Sequence, residues 1–222
     1  MAPVGSRRAG PAAHAYPGLV HPSQRQRGGV QSVELLLDPE SETRVLRLWT
    51  LLLNAGLPSQ ARHRGASNRP HATLVAVPTL PDGVDGVDGG LVDALAGRLP
   101  AVGTWGEVTA FGHGPWTVVW LVEPSAGMRR LQQEVARVCA VLEGHLTSPA
   151  RWTPHVTLAR RVSEPDLNAV RTLVSGPVEA ATGMPVLAPT VRRWDGAAKV
   201  DWVVASAPAR PAQPAQPRPP QP

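Results

Sequence analysis

The spacing of hydrophobic positions changes period several times along the chain, and each change marks an element. Val33 to Leu37 is a short apolar run closed by Asp38-Pro39, which predicts a buried strand. After Ser41, the residues Val45, Leu48, Trp49 and Leu52 recur at spacings of three and four, predicting a helix that stops near Asn54, Gly56 and Pro58. A polar, Arg-rich loop leads through Pro70 into a strand from His71 to Val77. Residues 81–90 read as a loop, and Leu91 to Leu99 as a short helix. Gly106 to Phe111 and Thr117 to Val122 alternate as two strands around Gly112-His113-Gly114-Pro115, which predicts a hairpin. The clearest helix runs from Ala126 to Leu142, with Met128, Leu131, Val135, Val138 and Leu142 on one apolar stripe and Gly144 and Pro149 beyond it. Trp152 and Pro154 precede a strand that begins at His155. Asp166 to Val174 is a further short helix, and Val186 to Val204 supplies the last strands around an Asp195-Gly196 turn. Residues 1–30 and 207–222 show no hydrophobic period and are rich in Pro, Gly, Ala, Gln and Arg; disorder is expected in both, or polyproline II in the second.

The two halves of the pattern can be superposed. Val33 to Pro39 matches Val118 to Pro124 at an offset of 85, and each run is followed by a long helix, a loop and a strand that opens on histidine. The strand openings are His71-Ala72-Thr73-Leu74 and His155-Val156-Thr157-Leu158, at an offset of 84. A short helix and a returning hairpin follow each of them. The expectation is an α+β fold over residues 31–206, flanked by two tails. It consists of two pseudo-symmetric lobes, each a small antiparallel sheet with helices on its outer face, flanking a central cleft.

Composition narrows the chemistry. The 222-residue chain is formally +5, but residues 1–30 hold four arginines and residues 207–222 two more, with no acid in either tail. Removing those six from the 22 Lys plus Arg leaves 16 against 17 Asp plus Glu, so the central part is close to neutral. Overall basicity is therefore no argument for a nucleic-acid-binding face. Lys199 is the sole lysine, which leaves no well-placed Lys nucleophile, and no Walker loop is present. Cys139 is the sole cysteine, expected as a small buried apolar residue, and no intramolecular disulfide can form. The acids Asp82, Asp85 and Asp88 lack the ligand pattern of an EF-hand, and no H-E-x-x-H spacing occurs, so no metal site is expected. With no long apolar run and no signal-like N-terminus, the expected location is cytoplasmic, with no membrane contact and a monomeric state.

The repeated phrase carries the candidate chemistry. Side chains in a strand alternate faces, so His71 and Thr73 share one face and Ala72 and Leu74 the other; the second copy repeats this with His155 and Thr157 against Val156 and Leu158. One such strand is unremarkable. Two in matching lobes predict a cleft holding two imidazoles and two hydroxyls. Histidine titrates near neutrality, so one neutral and one protonated imidazole can coexist as base and acid. Threonine hydroxyls can hydrogen-bond phosphate oxygens. Near-symmetry leaves open which histidine is which.

Residues His71/Thr73 and His155/Thr157, with the context Pro154-His155-Val156-Thr157-Leu158-Ala159-Arg160, resemble the 2H phosphoesterases, in particular their bacterial 2′-5′ RNA ligase and RNA 2′,3′-cyclic phosphodiesterase group. Ala72 is smaller than the residue usual in that group. The resemblance covers about residues 31–206. It implies a bilobal fold with a central cleft, no metal and no cofactor, catalysis by the four His and Thr side chains, and substrate contact by Arg160. In a regular strand, however, Arg160 would face away from Thr157. The implied activity is opening of 2′,3′-cyclic phosphates, or cleavage or formation of 2′-5′ linkages, at RNA ends. Two alternatives share the pattern: hydrolysis of a small cyclic nucleotide or ADP-ribose cyclic phosphate, and a non-catalytic RNA-binding module aided by the basic tails. Trp152 is a candidate for base stacking or for the core at the lobe boundary. Arg62, Arg64 and Arg69 are candidates for a basic lip, and His113 for a surface turn.

Overall fold

The computed structural model describes residues 29–80 and 84–208; the expectations for residues 1–28, 81–83 and 209–222 lie outside it. Strand β1 (Gln31–Leu36) leads into helix α1 (Pro39–Asn54), whose first turn is capped by the Asp38 carboxylate accepting from the Ser41 N–H. Then come β2 (His71–Val77), α2 (Gly89–Leu95) and the hairpin of β3 (Ala101–Phe111) and β4 (Trp116–Pro124). Helix α3 (Ala126–Val138) is capped by Ser125 and α4 (Glu164–Glu179) by Ser163, with β5 (His155–Val162) between them. Strands β6 (Pro185–Ala188), β7 (Thr190–Asp195) and β8 (Val200–Ser206) complete the fold.

All eight strands form one antiparallel sheet in the order β6-β3-β4-β5-β2-β1-β7-β8. Its two halves meet at a single paired position, Ala72 opposite Val156. The pseudo-symmetry is real, but the halves are not contiguous in sequence. The hairpin that follows β2 joins the second half, and the chain returns only at its end to add β7 and β8 to the first. The reason lies in the pairing: β4 lies beside β5, as β1 lies beside β2, so β3 is fixed next to its hairpin partner in that half. Apolar residues from all four helices and the sheet's inner face make one core, including Val33, Leu35, Trp49, Leu74, Met128, Leu131, Leu158 and Val170.

Several boundaries differ from expectation. Helix α2 begins at Gly89 and ends at Leu95, and Val84–Asp88 form an irregular turn where a loop was expected. Helix α4 extends to Glu179 and accommodates Pro177. Helix α3 stops at Val138, four residues short. Ala140 adopts a left-handed φ of 49°, the Val141 N–H reaches back to the Ala136 carbonyl at 2.9 Å, and the Ala140 N–H reaches Arg137 at 3.1 Å. This is a Schellman ending built without glycine. Leu142 consequently leaves the apolar stripe and is 78% exposed. Cys139 is buried, as expected. Among the described residues, no helix is long and apolar enough to cross a membrane.

Candidate functional site

Strands β2 and β5 lie side by side at the centre of the sheet, and their Ala72–Val156 bridge sits between the two histidine-threonine pairs. His71, Thr73, His155 and Thr157 all line one cleft of about 870 Å³ on the face of the sheet away from the core. Ala72, Leu74, Val156 and Leu158 are buried on the other face, as the alternation requires.

Past the threonines the alternation breaks in both strands at equivalent points. In β2, Thr73 and Val75 pair with the adjacent residues Glu34 and Val33, leaving Leu74 as an extra residue. In β5, Thr157 and Ala159 pair with the adjacent residues Val119 and Val118, leaving Leu158 extra. A bulge of this kind shifts the facing of everything beyond it. Leu74 and Val75 are both fully buried, as are Leu158 and Ala159. The next residue in each strand, Ala76 or Arg160, lines the cleft. The outward facing expected for Arg160 is thereby reversed.

The two imidazoles are anchored alike. Nδ1 of His71 donates to the Arg69 carbonyl at 2.7 Å, and Nδ1 of His155 donates to the Thr153 carbonyl at 2.7 Å. A carbonyl can only accept, so the proton of each neutral ring resides on Nδ1 and its Nε2 is a lone-pair acceptor.

Their surroundings differ. Nε2 of His71 lies 3.6 Å from Glu34 Oε1. Glu34 also accepts from the Ser32 hydroxyl at 2.6 Å and from Arg192 Nε at 2.8 Å, and Arg192 reaches Asp201 at 3.0 Å. Burial works to raise the Glu34 pKa, but His71, Arg192 and Ser32 together outweigh it and hold the carboxyl below its ordinary value. Among the described residues no acid pairs with His155; the Phe111 ring stands edge-on at 5.0 Å. Burial, chiefly, pushes the His155 pKa down to about 4; the Thr153 carbonyl opposes this, and the positive fields of His71 and Arg160 add to it. Desolvation also lowers the pKa of Arg160, with Glu34 opposing, yet an arginine stays cationic.

Residues 37–196 match the sequence profile of the 2′-5′ RNA ligase superfamily. The chain belongs to this superfamily. It is thus a 2H phosphoesterase by descent. Solved structures similar to it include Usb1 of Kluyveromyces marxianus, with 9% identity over 80% of this chain and 98% of that one at a TM-score of 0.47. The same protein with uridine monophosphate gives 12% identity, the same two coverages and a TM-score of 0.46. E. coli LigT complexed with 3′-AMP gives 15% identity over 79% of this chain and 93% of that one at a TM-score of 0.40. No curated protein is significantly similar in sequence.

Other candidates in this 2H phosphoesterase fall on either side of the cleft boundary. Trp152 lines the cleft and also belongs to the seam between the lobes: it is 8% exposed and donates its indole N–H to the Thr73 carbonyl at 2.8 Å. Of the arginine lip, only Arg64 lines the cleft; Arg62 bonds the Gly56 and Leu57 carbonyls, and Arg69 makes a two-pronged pair with Glu42 at 3.0 and 2.8 Å. His113 lies exposed in its turn. Asp88 is occupied by Arg193 at 2.9 Å and the Trp202 indole at 3.0 Å. Among the described residues, no three or more His, Cys, Asp or Glu are grouped to hold a metal ion. Cleft residues that sequence reasoning passed over are Glu34, Arg192, Phe111, Trp194, His63 and His145. Glu34 had a visible signal, as the one acid inside the apolar run of β1.

Proposed function

We propose that the chain is a metal-independent phosphodiesterase that opens 2′,3′-cyclic phosphates at RNA ends, or cleaves or forms 2′-5′ linkages there, through acid–base catalysis by His71 and His155. The observation that carries this reading is the pair of imidazoles in one cleft, each committed through Nδ1 to a backbone carbonyl two residues earlier and each followed on its own face by a threonine. That anchoring fixes both rings and leaves Nε2 as the working nitrogen. One Nε2 accepts a proton from the attacking water, and the other gives one to the departing ribose oxygen. Thr73 and Thr157 donate to the non-bridging oxygens, and Arg160 neutralises the charge that builds there. A cleft of about 870 Å³ has room for a nucleotide and part of its neighbour, so an RNA end fits it. Ring closure by a ribose hydroxyl is the same chemistry in reverse.

The test is turnover of an oligonucleotide bearing a 2′,3′-cyclic phosphate in excess EDTA, with His71→Ala and His155→Ala alongside. The expected outcome is EDTA-resistant opening that falls by at least about a hundredfold in either variant. Equal turnover in all three proteins, or loss of activity in EDTA, would overturn the reading. A mononucleotide preferred over the oligomer by orders of magnitude would move the substrate to the small cyclic phosphates.

A further inference from the structure

The two central strands agree in the features that carry the histidines but differ in the charge beside them. The histidines, their carbonyl anchors, the threonines and the bulges all repeat. The residue paired with Thr73 is Glu34, and the residue paired with Thr157 is Val119. The same two residues match in the offset of 85 between the halves. Val119 is fully buried in a small apolar cluster with Phe111 and Leu121, on the side of the sheet where His155 sits. Glu34 is 5% exposed and held by Arg192 and Ser32 with one oxygen toward His71. Equivalent histidines therefore face a fixed anion in one lobe and a hydrocarbon wall in the other.

We propose that Glu34, held by Arg192, is a positioning residue that makes His71 the general acid and leaves His155 the general base. The inference rests on the reaction proposed above. In the forward step, His155 Nε2 takes a proton from water as the water oxygen bonds to phosphorus. The bond from phosphorus to one ribose oxygen breaks, and that oxygen takes the proton from Nε2 of the His71 imidazolium. His155 ends protonated and His71 neutral, and exchange with solvent restores both. The Glu34 carboxylate favours the charged form of His71 through its proximity, and its own ionisation is secured by Arg192. The other charged groups nearest the pair are His155 and Arg160 from β5, Arg192 from β7 and Asp201 from β8, and the cleft lining also holds the titratable or charged His63, Arg64, His145 and Lys199. The Arg69 guanidinium is turned away to Glu42.

The decisive measurement is the NMR titration of the two imidazoles in wild type, Glu34→Gln and Glu34→Asp. It needs no substrate, so it can fail or succeed independently of the proposed reaction. In Glu34→Gln the His71 midpoint falls by about one pH unit or more, whereas that of His155 does not fall; Glu34→Asp stays closer to wild type. With substrate, Glu34→Gln loses about tenfold in kcat near pH 8 and little near pH 6, with KM nearly unchanged. Because Glu34→Gln leaves buried Arg192 with only Asp201, the double variant Glu34→Gln/Arg192→Met is titrated as well, and its His71 midpoint falls in the same direction. An unmoved His71 midpoint in both variants, or an activity loss equal at every pH, would overturn the proposal.

Discussion

The indole N–H of Trp152 donates to the carbonyl oxygen of Thr73 at 2.8 Å, and that of Trp49 donates to the carbonyl of Thr157 at 3.0 Å. Each tryptophan thereby satisfies a backbone acceptor in the opposite lobe's central strand. The need arises because β2 and β5 are paired only at Ala72 and Val156, and beyond that bridge the facing backbone has no ladder to join. Trp152→Phe and Trp49→Phe keep most of the ring and remove the donor. Each is expected to cost about 1–3 kcal/mol in urea unfolding, the usual penalty for a stranded buried acceptor. The comparison is Trp116→Phe, whose indole bonds Glu164 at the surface and whose loss is expected to stay within about 0.5 kcal/mol. Equal losses in all three would remove the seam from the account.

Ala140 ends α3 with a φ of 49°, a conformation in which its Cβ crowds the backbone. Its N–H and that of Val141 close the helix end, so the position is required to be left-handed. Ala140→Gly relieves the crowding at the cost of some unfolded-state entropy. The net expectation is a stabilisation of about 0.5–1 kcal/mol, read as a rise in the urea midpoint at constant slope. The residue is not among those that line the cleft, so turnover is expected to be unchanged.

Most of the fold's grammar was readable in the residues because it depends on short-range periodicity. The strand positions of His71 and His155 and the apolar stripe of α3 as far as Val138 follow from spacings of two, three and four, and the likeness of the two halves follows from the offsets of 84 and 85. What escaped depends on contacts between segments far apart. The bulges that turn Arg160 and Ala76 into the cleft arise from register between strands, and nothing in His155 to Arg160 announces an extra residue at Leu158. The early end of α3 rests on two backbone hydrogen bonds at an alanine, where a glycine would have given warning. Glu34 and Arg192 are 158 positions apart, and their ion pair exists only because β7 returns across the whole chain to lie beside β1. The exchange of hairpins between halves is likewise invisible to a repeat offset, which records similarity and not pairing.

Arg160 is a cation that a cleft-facing position of β5 supplies beside His155, and its counterpart in β2 is the neutral Ala76. If it neutralises phosphate, Arg160→Ala is expected to lower kcat/KM about tenfold to a hundredfold, the worth of one charged hydrogen bond. Arg160→Lys restores the charge without the planar fork and is expected to recover part of the loss. Stability should barely change, since the side chain is exposed to the cleft. Steady-state kinetics on the cyclic-phosphate oligonucleotide checks this. An unchanged kcat/KM in Arg160→Ala would take Arg160 out of substrate contact.

The depressed pKa of His155, about 4 against an ordinary 6.5, has consequences for both rate and stability. A base must be unprotonated, so the acidic limb of kcat/KM is expected near pH 4 rather than near 6.5, with the fall at higher pH set by the acid partner. Were His155 the acid, activity would be confined below about pH 4, which makes the profile a direct test of the roles. For stability the sign follows from proton counting. Between 6.5 and about 4 the unfolded chain protonates this histidine while the native protein does not, so stability falls as the pH drops through that window and levels off below it. Glu34 does not offset the loss there, because its carboxyl is held below 4.5 and remains ionised over most of the window. Discounted for the ring's partial exposure, the effect is roughly 1–3 kcal/mol. It is measured as the difference between wild type and His155→Gln in urea unfolding at the two ends of the window. The variant lacks the titrating ring and is expected to lose less stability on acidification; parallel losses would place the His155 titration at its ordinary value.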